Sequence, residues 1–217
     1  MVQILILAAV AAFLFWRLSL VLGVRTGFEK SLDIKIQKGP KKNQSEKEPS
    51  DVIVDDDDIS DYVELTSDSG QQLKNIKDCE QNFSVNQFVS GAKSAYELIL
   101  MAYEQGDLSV LEEHLSPDVY NDFKTVVTDR ADKGYAVEAT FGGLREIRIR
   151  NVDFNKKSMH AEVTMFFKCE LTSVVRDKND AVVEGDSAKV KIHTDIWTFG
   201  RIIGTQDPAW KLVATGE

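Results

Sequence analysis

Two periodicities divide the second half of the chain into helices followed by strands. Apolar residues recur every three or four positions between residues 84 and 133, which predicts amphipathic helices. Over residues 161–176 they alternate with polar residues, which predicts a half-buried strand. Further strands are predicted around Ile147–Ile149, over Val190–Ile202 and over Trp210–Ala214. Helices followed by antiparallel strands define an α+β domain whose helices cover one face of a sheet.

Local signals mark where the first of these helices begins and ends. Ser84 followed by Gln87 forms a capping box, which Phe83 and Phe88 flank as a hydrophobic staple. Gly106 ends the helix, because glycine adopts the left-handed C-cap conformation without steric cost. We therefore expect order to begin at residue 83, and the folded domain to span residues 83–217.

The first 24 residues form a nearly continuous apolar run that is long enough to cross a hydrocarbon core of about 30 Å. Trp16, Arg17, Arg25 and Lys30 are predicted to lie at the membrane interface. The basic residues follow the span, so the positive-inside rule predicts a periplasmic N-terminus and a cytoplasmic domain. A cleaved signal peptide would require basic residues before the run, and a buried soluble helix would require a partner helix. We predict an uncleaved anchor over residues 1–24 in a bacterial inner membrane.

Residues 25–82 are predicted to be a disordered linker, basic at first and then acidic. The tract is polar and poor in aromatic residues, so it offers little apolar surface to offset chain entropy. Its basic part could contact anionic lipid or serve only to set the topology. Asp55–Asp58 lack the ligand spacing and glycine of a calcium loop, which favours a solvated charge run. The surrounding stretch could also be a docking motif for a partner.

Charge and candidate chemistry narrow the function. The formal net charge is −9 and no basic patch dominates the domain, so we expect no nucleic-acid partner. Cys79 and Cys169 form no metal-binding pair, and neither a metal nor a cofactor is expected. The best catalytic pair is His193 and Asp195, which share a strand face with Trp197. We expect a binding protein that is not an enzyme; the alternative is a small-ligand carrier or enzyme that uses His193 and Asp195.

Two stretches resemble a known family. "AYELILMAYEQGDLSVLEEHLSPDVYNDFKTVVTDRADKG" and "DIWTFGRIIGTQDPAWKLVAT" resemble the Tim-type domain, named for subunit 44 of the translocase of the inner mitochondrial membrane. The amino-terminal "RLSLVLGVRTGFE" is similar to the alphaproteobacterial, membrane-anchored branch of that family. The most specific positions are Gly106-Asp107, Val119-Tyr120, Trp197-Thr198-Phe199 with Arg201, and Pro208 with Trp210.

The resemblance implies a fold like that of nuclear transport factor 2: a cone in which a curved sheet surrounds packed helices and leaves an apolar cavity or groove. The mitochondrial family member tethers a DnaK-type chaperone to the import channel and touches cardiolipin-rich membrane. This chain is shorter and lacks most of the region that precedes the domain there. It carries a predicted transmembrane anchor instead, so the resemblance implies a membrane-anchored adaptor more than any named client. We expect it to hold an unidentified protein partner at the cytoplasmic face of the inner membrane, with a DnaK-type chaperone and a translocon as the candidates.

Two sets of side chains are the candidate contact surfaces. The partner or ligand surface is predicted to comprise Met165, Phe167, Trp197, Phe199, Arg201 and Trp210. Trp197 and Trp210 are also expected to serve the fold, because the last two strands close the sheet. The densest basic cluster, Arg145, Arg148 and Arg150, could contact acidic lipid headgroups or form ion pairs across strands.

Overall fold

The computed structural model describes residues 57–216, which form five helices and five strands. The helices are α1 (Asp57–Ser60), α2 (Asp68–Cys79), α3 (Val85–Gln105), α4 (Leu108–His114) and α5 (Pro117–Asp132). The strands are β1 (Ala136–Asn155), β2 (His160–Arg176), β3 (Val182–Gly185), β4 (Lys191–Ile202) and β5 (Lys211–Thr215). The predicted α+β class, with helices packed on an antiparallel sheet, is confirmed.

The predicted anchor, its interface residues Trp16, Arg17, Arg25 and Lys30, and the linker as far as residue 56 lie outside the described residues. Within residues 57–216, no helix combines the length and the apolar character needed to cross a membrane.

The helix boundaries follow the predicted capping signals. Ser84 is the N-cap of α3, and its hydroxyl accepts a hydrogen bond from the Gln87 amide. Gly106 ends α3 in the left-handed conformation, with φ at 74°. Asp107 then caps α4 by accepting from the amides of Ser109 and Val110. Each cap satisfies amide or carbonyl groups that a helix end otherwise leaves unpaired.

The sheet runs in the order β1-β2-β4-β5, and all neighbouring strands are antiparallel. β3 pairs with the end of β2 beyond the segment that pairs with β4. β1 is far longer than the predicted strand around Ile147–Ile149, and three register shifts interrupt its ladder with β2. Such shifts bend a strand and raise its local twist.

Alternating side chains of β2 provide the centre of the core. The predicted face from Ala161 to Leu171 is buried at every second residue. Beyond Leu171 the alternation changes phase, so that Val174 is buried and Val175 is partly exposed. At this point β2 stops pairing with β4 and begins to pair with β3. Tyr96 of α3 stacks on Phe167 with ring centroids 4.3 Å apart, which joins the helix layer to the sheet.

Residues 57–82 are ordered, so their assignment to a disordered linker is wrong. Ile59 of α1 and Leu73 and Ile76 of α2 are fully buried in the same core as α3 and the sheet. Asp58 forms a buried ion pair with Lys77 and accepts hydrogen bonds from Ser84 and Val85 at the start of α3. A few apolar side chains at helical spacing and one paired carboxylate suffice to pack this polar segment on the domain.

Gly70 shows how closely α2 packs. A Cβ atom at this position would lie 2.3 Å from the carbonyl oxygen of Glu64. Because that oxygen belongs to the main chain, the clash could be relieved only by moving the backbone. The first turn of α2 therefore lies directly on the turn that precedes it, and only glycine fits there.

Candidate binding groove

A groove of about 630 Å³ lies between the amino-terminal half of α3, the α2–α3 connection and the segment that leads into β5. It is called the α3 groove below. Its lining residues are Glu80, Asn82, Phe83, Ser84, Gln87, Phe88, Gly91, Ala92, Ser94, Ala95, Leu98, His114, Phe199, Arg201, Pro208, Ala209 and Trp210.

Four aromatic rings form one side of the α3 groove. Phe88 meets Trp210 edge to face at a centroid distance of 4.7 Å, and Phe83 lies 6.1 Å from the same indole. Phe199 of β4 packs edge to face on Phe88 at 6.4 Å. Phe83, Phe88 and Phe199 are buried members of the core and Trp210 is half-buried, so the accessible aromatic surface of the groove belongs mainly to Trp210. Aromatic side chains are enriched at binding interfaces.

The wall formed by α3 consists of small residues followed by one exposed leucine. Gly91, Ala92 and Ala95 line the groove, and a Cβ atom added to Gly91 would meet no atom of the described residues within 4 Å. Leu98 ends this row and is 43% exposed. An occupant could therefore approach the helix closely at Gly91 and bury Leu98.

Arg201 and Glu80 form an ion pair at one end of the α3 groove. Arg201 Nη2 is bound to Glu80, whose carboxylate also accepts from the Gly204 amide at 2.9 Å. Burial raises the pKa of Glu80, but the hydrogen bonds from Gly204 and Arg201 and the charge of Arg201 outweigh that effect, so the pKa lies below its usual 4.5. The guanidinium also lies over the Trp210 ring, 5.8 Å from its centroid.

The rest of the α3 groove is polar without being charged. Asn82, Gln87, Ser94 and His114 contribute amide, hydroxyl and imidazole groups, and no other Lys, Arg, Asp or Glu belongs to the described lining. The imidazole of His114 is 3.0 Å from the Val110 carbonyl oxygen on its own helix. With Glu80 and Arg201 paired, the Lys, Arg, Asp and Glu side chains of the described lining carry no net charge.

The predicted partner surface divides between the groove and the core. Phe199, Arg201 and Trp210 line the α3 groove. Met165 and Phe167 are fully buried and Trp197 is 5% exposed, so these three belong to the core and do not line the groove. Phe199 is also a core residue, at 1% exposed, and forms the base of the groove without offering accessible surface of its own. Trp197 packs against Tyr96 at a centroid distance of 4.7 Å, which is a structural contact.

The three arginines of the predicted headgroup cluster lie on exposed positions of β1. Arg145 pairs with Glu170 across the β1–β2 ladder, and Arg148 pairs with Glu146 of its own strand at 2.7 Å. Arg148 also covers the ring of Phe166, 4.5 Å from its centroid. A cross-strand ion pair therefore describes Arg145; the pair of Arg148 lies within β1, and Arg150 is exposed on the same strand.

His193 and Asp195 lie on β4 away from the α3 groove lining. Asp195 accepts a 2.6 Å hydrogen bond from the Tyr96 hydroxyl, which also lies 3.2 Å from the Cys169 sulfur. Burial, together with the neighbouring Asp195, raises the pKa of Tyr96 far above its usual value, and burial raises the pKa of the Cys169 thiol. Both groups stay protonated at neutral pH, so the cluster is suited to a structural hydrogen bond rather than to nucleophilic chemistry.

Sequence reasoning missed Glu80, Gly91 and Leu98 as site residues. Gly91 and Leu98 lie on α3, two turns apart on the groove side, and a glycine inside a helical pattern is a signal of close approach. No local sequence pattern marked Glu80 as a site residue, because its partner Arg201 is 121 positions away in the chain.

The fold is an α+β domain with a groove lined by α3 and by residues of β4 and the segment before β5. A model of the Tim44-like domain matches residues 69–217, and the chain therefore belongs to the Tim44-like domain family. The match begins inside α2, in agreement with the packing of that helix on the core. Membership in this family associates the chain with protein transport.

A solved structure similar to this chain is the intermembrane space region of the chloroplast protein ARC6. Its sequence identity is 13% and its TM-score is 0.41, with 58% of this chain and 93% of that chain covered. A comparison with curated protein sequences finds no significant match.

Proposed function

We propose that this protein is a membrane-anchored adaptor whose α3 groove binds an apolar segment of a protein partner at the cytoplasmic face of the inner membrane. The observation that carries the proposal is the groove itself, which combines four aromatic rings, a wall of small residues and an exposed leucine. Apolar grooves with a few polar groups are the usual form of a binding site. The apolar run over residues 1–24 supplies the anchor, and the family supplies the link to protein transport.

The partner in this proposal is a component of protein translocation, a translocon subunit or a DnaK-type chaperone. The alternative, a small-ligand carrier or enzyme that uses His193 and Asp195, has less support. Asp195 is engaged by the buried Tyr96 hydroxyl, and neither residue lines the α3 groove. Binding, without catalysis, is therefore the proposed activity.

Site-specific photo-crosslinking in membranes tests the proposal. A photoreactive amino acid at Leu98 reports on the α3 groove, and the same amino acid at Val126 of α5 is the matched control. The two side chains are equally exposed, at 43% and 42%, but only Leu98 lines the groove. We expect a discrete protein adduct from Leu98 and none from Val126. Equal adducts from both positions, or none from Leu98, would contradict a groove-bound protein partner.

A further inference from the structure

The guanidinium of Arg201 has an unfilled hydrogen bond at the α3 groove. Its side chain is 7% exposed, its Nη2 is bound to Glu80, and its Nε is buried with no acceptor among residues 57–216. Buried donors in native proteins are nearly always paired, so an orphaned one at a binding groove indicates a missing acceptor. We propose that this acceptor is a main-chain carbonyl oxygen of an extended, uncharged peptide segment bound in the groove. The proposal rests on the proposed function, because it concerns the same groove.

The ion pair between Arg201 and Glu80 favours an uncharged occupant over an anionic one. Glu80 already neutralises Arg201, and no other Lys, Arg, Asp or Glu lines the described groove. An occupant with a carboxylate or phosphate would bring an uncompensated negative charge next to Glu80, which is costly where water is excluded. A neutral carbonyl oxygen supplies the acceptor without that cost.

The polar rim favours a peptide over a lipid. Asn82 and Gln87 present amide groups, whose donors and acceptors match those of an extended main chain. The Ser94 hydroxyl already donates to the Ser90 carbonyl and can still accept. An acyl chain would pair with none of these groups, and an anionic headgroup would find no free cation in the described lining. A helical ligand is also disfavoured, since its carbonyl groups are bonded within the helix.

Trp210 is the aromatic neighbour of the Arg201 guanidinium. Its ring lies over the guanidinium, and it is half-buried on the segment between β4 and β5. Because Nε is buried, the proposal requires a rearrangement next to Arg201 before a carbonyl oxygen can reach this atom. Binding should therefore change the fluorescence of Trp210.

The test measures peptide binding to the full-length protein in phosphatidylcholine nanodiscs. The probes are a labelled twelve-residue peptide of Leu, Val, Ser and Gly with blocked ends, and the same peptide with two Ser replaced by Asp. Wild type should prefer the neutral peptide. Arg201→Lys keeps a cation beside Glu80 but lacks the Nε donor, so it should bind the neutral peptide about tenfold more weakly, the effect of one charge-assisted hydrogen bond.

Glu80→Gln provides a second readout that a purely structural role would not move. Glutamine keeps an oxygen that accepts from Gly204 but removes the negative charge, which leaves Arg201 uncompensated. The preference should then reverse, with the Asp-containing peptide bound about tenfold more tightly than by wild type. Thermal unfolding of both variants confirms that each is folded.

Three outcomes would overturn the proposal: unchanged binding of the neutral peptide by folded Arg201→Lys, an unchanged charge preference in Glu80→Gln, or loss of peptide binding when cardiolipin is added to the nanodisc. The last outcome would assign the groove to lipid. The proposed function fails separately, when Leu98 yields no protein adduct in membranes. If Leu98 gives an adduct but Arg201→Lys binds the neutral peptide as wild type does, the proposed adaptor function stands. Only the proposed hydrogen bond from Arg201 Nε to the peptide is then rejected.

Discussion

At the scale of single residues, two carboxylates fasten the amino-terminal helices to the rest of the domain. Asp58 pairs with Lys77 and accepts from the first amide of α3, and Glu80 pairs with Arg201 and accepts from Gly204. For each carboxyl, burial raises the pKa but the hydrogen bonds and the paired cation outweigh it, so the folded pKa is lowered. Both side chains therefore favour the folded state in their ionised forms.

This gives a prediction for the pH dependence of stability. A carboxyl whose pKa is lower in the folded state contributes stability above its unfolded pKa and loses it as the pH falls through the folded value. The free energy of unfolding should thus decline as the pH drops below about 4.5, the ordinary value for Glu80. Glu80→Gln should flatten this decline relative to wild type in urea unfolding followed by tryptophan fluorescence. Parallel acid limbs would show that Glu80 adds nothing to the effect.

At the scale of elements, capping and periodicity made some parts of the fold predictable and left others hidden. The start of α3 at Ser84, its end at Gly106 and the alternation of β2 followed from the sequence. α2 escaped because its few apolar residues lie in a polar, charged tract; the Ser67 cap before Asp68, with Leu73 and Ile76 three apart, was the available signal.

β1 and the candidate site were hidden for a different reason, namely long-range geometry. The ladder of β1 with β2 shifts register three times, so its side chains do not follow one clean alternation. Phe199, Arg201 and Trp210 were recognised as candidates, but that these three line the groove while Met165, Phe167 and Trp197 do not depends on how α3 crosses the sheet. No pattern within one strand reports that crossing.

The packing of α2 can be tested by one substitution. Leu73 is fully buried, so Leu73→Ala should destabilise the domain by about 2–5 kcal/mol, the usual cost of removing a buried leucine side chain. Asp78→Ala on the exposed side of the same helix is the control and should cost within about 0.5 kcal/mol. Equal free energies of unfolding for the two variants in urea would show that the packing of α2 does not stabilise the domain.

At the scale of the whole molecule, the described residues form one folded unit that includes the amino-terminal helices α1 and α2. Residues 57–82 pack on this unit, so the predicted linker over residues 25–82 does not extend past residue 56.

The two native cysteines provide a test of topology. Cys79 is exposed and Cys169 is fully buried, so a membrane-impermeant maleimide labels the folded protein only through Cys79. With the domain in the cytoplasm, intact spheroplasts should give no labelling, and permeabilised ones should give labelling that Cys79→Ser removes. Labelling of intact spheroplasts would place the domain on the periplasmic side and refute the predicted orientation.

The most direct test of the central claim is to fill the α3 groove without damaging the fold. Gly91→Leu places a side chain where a Cβ atom meets no atom of the described residues within 4 Å, and it replaces glycine inside a helix, which should raise stability by about 1 kcal/mol. Ser90→Leu adds the same side chain at an exposed neighbouring position outside the described groove lining. The measurement is the yield of the protein adduct from a photoreactive residue at Leu98, in membranes, for both variants. The account predicts that Gly91→Leu abolishes the adduct while Ser90→Leu retains it; an undiminished adduct from a well-folded Gly91→Leu protein would contradict a partner bound in the α3 groove.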